Sequence, residues 1–75
     1  MDIRRQVGLN LQRLRHEKGW SQEDLDFESG VHRTYISGIE RGVRNPTLTN
    51  LDKLAQALGV SLGVLVDPPA RKRAK

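Results

Sequence analysis

Glycines at positions 19, 30, 42 and 59 each follow a stretch that reads as a helix, by apolar periodicity or by its capping residues. A glycine just past the last periodic residue is a helix stop. Most of the pieces between these stops are too short to persist alone, because an isolated helix under about 12 residues is marginal in water. A chain punctuated in this way must pack several short helices around a shared core. Its 75 residues allow one such core and no second.

Ile3, Val7, Leu11 and Leu14 recur at i, i+4, i+8 and i+11, which is one face of a first helix, with Leu9 on the opposite face. Gly8 interrupts that helix at a cost of roughly 1 kcal/mol relative to alanine, which points to close packing against a neighbour, with a neutral accident as the alternative. Ser21-Gln22-Glu23-Asp24 places an acid three residues after a capping serine and opens a brief second helix that Ser29-Gly30 ends. After Val31, residues 32–41 make a third helix, with Ile36 and Ile39 as its buried pair and Glu40 facing inward beside them. Asn45-Pro46 turns the chain, and Thr47 caps a fourth helix whose stripe is Leu48, Leu51, Leu54, Ala55 and Leu58. Ser61 caps a last turn or two through Val66, and Pro68-Pro69 forbids continuation. No segment alternates as a strand. The expectation is an all-α fold of five short helices over residues 1–67, followed by a flexible basic tail over 68–75.

Composition narrows the function classes. With no cysteine there is no disulfide, thiolate zinc site or cysteine nucleophile. His16 and His32 lack companions at ligand spacing, so no metal and no cofactor is expected. No glycine-rich phosphate loop is present, and the scattered serines and acids share no catalytic arrangement, so the chain reads as a non-enzyme. No apolar run approaches the roughly 20 residues of a membrane span, and Met-Asp-Ile-Arg-Arg-Gln is not a secretion signal. A soluble cytoplasmic domain is expected, with no membrane partner and no evident small-molecule ligand.

The net charge of +4 is matched by the tail alone, since Arg71, Lys72, Arg73 and Lys75 occur there without an acid. The remaining body is neutral but segregated. Residues 1–18 carry +3, residues 19–30 carry −4, and residues 31–45 carry +2. Segregation into a basic stripe is what phosphate binding requires.

Two short helices joined by a glycine-containing turn, over about residues 21–41, form a helix-turn-helix unit. On its second helix the outward stripe is Thr34, Ser37, Gly38 and Arg41, with Arg33 at the start. That stripe has no large apolar residue and no acid. Arginine pairs bidentately with guanine in the major groove, and threonine bonds a base edge or touches a thymine methyl. Gly38 is expected to let the backbone approach the groove. Gln22, Tyr35, Arg41, Arg44 and Asn45 are placed as phosphate contacts around the two helices. An ordinary solvated helix face is the competing account of the same residues.

Ser21-Gln22-Glu23-Asp24-Leu25, Ser29-Gly30-Val31 and Tyr35 through Gly42 together resemble the Cro/CI-type (Xre-like) helix-turn-helix family. The resemblance runs on through Asn45-Pro46-Thr47-Leu48 and residues 54–61. Within it, residues 33–41 are similar to controller proteins of bacterial restriction–modification systems. The family implies a compact five-helix, lambda-repressor-like DNA-binding domain, usually a homodimer on a roughly palindromic double-stranded operator, acting in transcription regulation. Carried over, it assigns Gln22 to phosphate and Arg33 and Thr34 to base reading, with Ser37 and Gly38 where further groove contacts occur. It also pairs Arg15 with Glu40 as a structural salt bridge. The dimer is expected through the C-terminal helix, with Leu62, Leu65 and Val66 as contacts. The alternative is a protein-interaction module, such as an antitoxin with secondary DNA binding.

Two departures stand out. Asp26 occupies a position where the family usually has alanine, and is expected to be a crowded carboxylate whose removal stabilises the fold. His32 stands where serine or threonine is the commoner cap.

Overall fold

The structure is a computed structural model that describes residues 2–68. Its helices are α1 (Ile3–Glu17), α2 (Gln22–Ser29), α3 (Arg33–Glu40), α4 (Leu48–Leu58) and α5 (Leu62–Val66), with no strand among the described residues. Most starts have a visible cause. Asp2 accepts from the Arg4 amide, Ser21 and Asp24 close a reciprocal capping box, and Thr47 accepts from the Asn50 amide. Ser61 stands at the N-cap of α5 but makes no side-chain hydrogen bond there, contrary to expectation. Helices α2 and α4 end at Gly30 (φ 78°) and Gly59 (φ 74°), both in the left-handed region that favours glycine.

The core gathers Val7, Leu11 and Leu14 of α1, Leu25 of α2, Val31 of the turn, and Ile36 and Ile39 of α3. Leu51, Leu54, Ala55 and Leu58 of α4 complete it together with Leu65 of α5. Helix α1 lies against α3 and α5, α2 against α3 and α4, and α4 against α5. Gly8 explains how α1 comes so close to α3. A Cβ there would collide with the carbonyl oxygen of Ile39 and sit 2.8 Å from that of Glu40. The helix-propensity cost of Gly8 therefore secures a close crossing.

Three apolar residues fall elsewhere than expected. Ile3 and Leu48, assigned to buried stripes, are 56% and 72% exposed. Each is the first residue of its helix. Leu65, expected at a dimer surface, is fully buried at 0% exposure, because α5 turns that side chain into the core between α1 and α4. Only five residues long, α5 is held by side chains from α1. Gln6 donates to the Val66 carbonyl at 2.8 Å, and Asn10 donates to those of Leu65 and Asp67 at 2.9 and 2.7 Å.

Candidate nucleic-acid interface

Helices α2 and α3, joined by Gly30-Val31-His32, form the helix-turn-helix, and the turn is fixed from both sides. Ser29 accepts from the Val31 amide at 3.0 Å, and Val31 is buried. His32 is the N-cap of α3, its Nδ1 accepting from the Thr34 amide at 3.0 Å. The unusual cap residue is thus a working one, and it is the unprotonated nitrogen that caps.

Asp26 is the larger correction. It is not a stranded carboxylate: its Oδ2 accepts from the Arg33 amide at 3.0 Å, supplying a second acceptor to the exposed start of α3. The same oxygen lies 3.7 Å from Arg33 Nε, while Glu23 lies 3.4 Å from Arg33 Nη1. The expectation failed because an N-terminal helix end needs acceptors, and α2 is close enough to provide one.

At the other end of α3, Glu40 anchors the motif to α1. Arg15 donates through Nε and Nη2 to the two carboxylate oxygens at 2.7 and 2.9 Å, and through Nη1 to the Trp20 carbonyl at 2.8 Å. Gln22 donates to the same carboxylate at 3.1 Å. The side chains of Arg15 and Glu40 are only 9% and 4% exposed. The hydrogen-bonded carboxylate holds the Arg15 guanidinium above its ordinary pKa, against the opposing pull of desolvation. Gln22, assigned to phosphate, is therefore already engaged through one N–H of its amide, which leaves the second N–H and the backbone as donors for other partners.

Arg33, Thr34, Arg41, Arg44 and Asn45 are exposed, while Tyr35 and Ser37 are half-buried. Gly38 is buried rather than open to a groove. A Cβ on it would strike the Arg44 side chain at Cγ, so the glycine makes room for the stem of that arginine. The Gly38 carbonyl accepts from the Val43 and Arg44 amides at 3.0 and 3.2 Å, which folds residues 43–44 back over α3. The Arg44 guanidinium then stands 5.4 Å from the Tyr35 ring centroid, a cation–π arrangement. Gly38 thus makes room for Arg44, whose side chain lies over it in this arrangement.

Sequence reasoning missed two further features. Arg5 of α1 packs on the end of α3: a Cβ on Gly42 would lie 3.2 Å from the Arg5 Cα, so another cation borders the basic edge. Phe27, 85% exposed on α2, went unread, although its spacing of two from buried Leu25 rules out a shared helix face.

The arrangement is a short helix with a polar, basic outer edge, fixed at both ends. The family model described as Helix-turn-helix matches residues 11–65. The uncharacterized HTH-type transcriptional regulator y4dJ of Sinorhizobium fredii is 54% identical over 68 residues, covering 91% of this chain and 88% of that protein. The crystal structure of the hypothetical transcription factor NHTF from Neisseria superimposes with a TM-score of 0.86 at 44% identity, over 91% of this chain and 78% of that one. The restriction–modification controller protein C.Esp1396I, as a tetramer in complex with its natural 35 base-pair operator, has a TM-score of 0.78 at 42% identity, over 87% of this chain and 86% of that one. In its sequence, its helix order and its motif geometry, this chain belongs to the helix-turn-helix family.

Proposed function

We propose that this protein is a sequence-specific, double-stranded DNA-binding transcription regulator that acts in the cytoplasm by occupying an operator rather than by turnover. The observation that carries the reading is the outer edge of α3. Arg33 and Thr34 are exposed at its N-terminal end, the part of a recognition helix that meets base edges in this docking mode. The one acid of α3, Glu40, is withdrawn into its pair with Arg15 and repels nothing at that edge. Arg33 and Thr34 read bases, with Ser37 as a further groove contact. Arg41, Arg44, Asn45, the Tyr35 hydroxyl and the start of α2 at Gln22 contact phosphate. A solved relative that binds its operator as a tetramer supports the reading.

The DNA-binding unit is residues 1–67, and the basic tail, whose residues 69–75 lie outside the described ones, adds phosphate contacts without setting sequence preference. Two copies associate through α5. Leu65 is used up by the core, so Leu62 and Val66, both half-buried, and Val64, 37% exposed, form the contact. Their recognition helices then meet successive major grooves about 34 Å apart.

The test uses a duplex selected from a random pool and a scrambled version of it, at one fixed salt concentration. Arg33→Ala is expected to cost about 1–3 kcal/mol per half-site on the selected duplex and much less on the scrambled one. Arg44→Ala is expected to weaken both about equally. Equal losses on both duplexes for Arg33→Ala would return that residue to the phosphate contacts.

A further inference from the structure

The geometry points to Glu23 and Asp26 as positioning residues that make Arg33 choose bases over phosphates, an inference that rests on the DNA-binding reading above. The two carboxylates approach Arg33 from α2, Glu23 at 3.4 Å from Nη1 and Asp26 at 3.7 Å from Nε. Neither distance is that of a tight ion pair. The Arg33 and Glu23 side chains are 52% and 71% exposed, so water screens the attraction and little energy holds the guanidinium back. Asp26 is tethered more firmly, because its Oδ2 also accepts from the Arg33 amide at 3.0 Å. The result is an arginine whose backbone is fixed, whose head group is free to leave, and whose charge is largely neutralised where it stands.

That neutralisation falls unequally on the two groups a duplex offers. A phosphate is a full negative charge, and bringing it to Arg33 brings it to two carboxylates as well. A guanine edge offers O6 and N7, which are dipolar acceptors without net charge, so the carboxylates repel it far less. Phosphate binding at Arg33 is therefore suppressed more than guanine binding. Random DNA, which presents phosphate everywhere and the right base rarely, loses most. The acids of α2, which look adverse in a DNA-binding motif, thereby widen the gap between right and wrong sequences.

Binding of the full chain to the selected and scrambled duplexes over a series of salt concentrations tests this. Glu23→Gln is expected to tighten binding to scrambled DNA roughly two- to fivefold per protomer while moving the selected duplex less, so the preference narrows. Its salt dependence on scrambled DNA should steepen by about one ion per protomer, a change that a merely structural role does not produce. Asp26→Asn keeps an acceptor for the Arg33 amide and is expected to act in the same direction. Glu28→Gln removes the same charge from α2 at a residue that forms no ion pair with Arg33 among the described residues, and should leave the preference as it was. Placed in an Arg33→Ala background, Glu23→Gln should also leave it unchanged. The inference is overturned if Glu28→Gln matches Glu23→Gln, if the effect survives loss of Arg33, or if Glu23→Gln leaves the preference intact. A wild-type chain that does not distinguish the two duplexes would instead defeat the DNA-binding reading itself.

Discussion

Of the arginines that meet carboxylates in this small fold, Arg15 and Arg33 do so in opposite ways. Arg15 and Glu40 are buried, joined by two hydrogen bonds of 2.7 and 2.9 Å, and completed by Gln22 and the Trp20 carbonyl. Arg33 faces Glu23 and Asp26 across 3.4 and 3.7 Å, in water. The first arrangement cannot open without leaving a charge stranded in the interior. The second opens at almost no cost, so a ligand is able to replace it. Burial, more than residue type, decides whether an ion pair is a joint or a contact awaiting exchange.

The comparison is broken most forcefully at its buried member. Glu40→Ala leaves Arg15 uncompensated and should lower unfolding free energy by about 3–5 kcal/mol in denaturant titration. A loss below about 1 kcal/mol, within the range of exposed pairs, would erase the distinction. Gly8→Ala attacks the same joint from α1. Its Cβ meets backbone oxygens that no rotamer change moves aside, so overpacking of about 1–3 kcal/mol should exceed the helix-propensity gain of about 1 kcal/mol. A raised melting temperature would show that α1 and α3 separate freely. Asp26→Ala removes an acceptor from the Arg33 amide and should cost about 0.5–2 kcal/mol, with Asp26→Asn recovering most of it. Equal stability of the alanine variant and the wild type would reduce Asp26 to a bystander. Smallest of all, Glu23→Gln should shift stability by no more than about 0.5 kcal/mol in thermal melts, because its contact with Arg33 is solvated.

The helices were legible because each stop and nearly every cap is a local matter. Gly30 and Gly59 end helices by their own φ, and Ser21 and Thr47 cap through bonds within a single turn. The crossing at Gly8 was legible as well, as one of two readings of an unfavourable glycine inside a helix. What escaped was decided between elements. Whether Leu65 faces outward depends on where α1 and α4 lie, and nothing in its own spacing records that. Asp26 was misread for the same cause. Judged along α2 it is a poorly placed carboxylate, and only the approach of the Arg33 amide from α3 gives it an occupation. Gly38 is a subtler case: its missing side chain signals a close approach, and the group that makes that approach here is the Arg44 side chain, which spacing along α3 alone does not reveal.

The last helix carries one more implication, about the order in which the fold can be made. Three successive carbonyls, of Leu65, Val66 and Asp67, are taken up by Gln6 and Asn10, across 55 to 60 residues of sequence. A five-residue helix is far too short to nucleate alone. Conversely, buried Asn10 has no carbonyl to receive its amide until α5 arrives. Until then water serves the Asn10 amide, and burying it in the core before α5 is in place would strip that water away without a replacement. Only when residue 67 is in place do both ends of the domain gain their partners, so that closing the chain and completing the core are a single event.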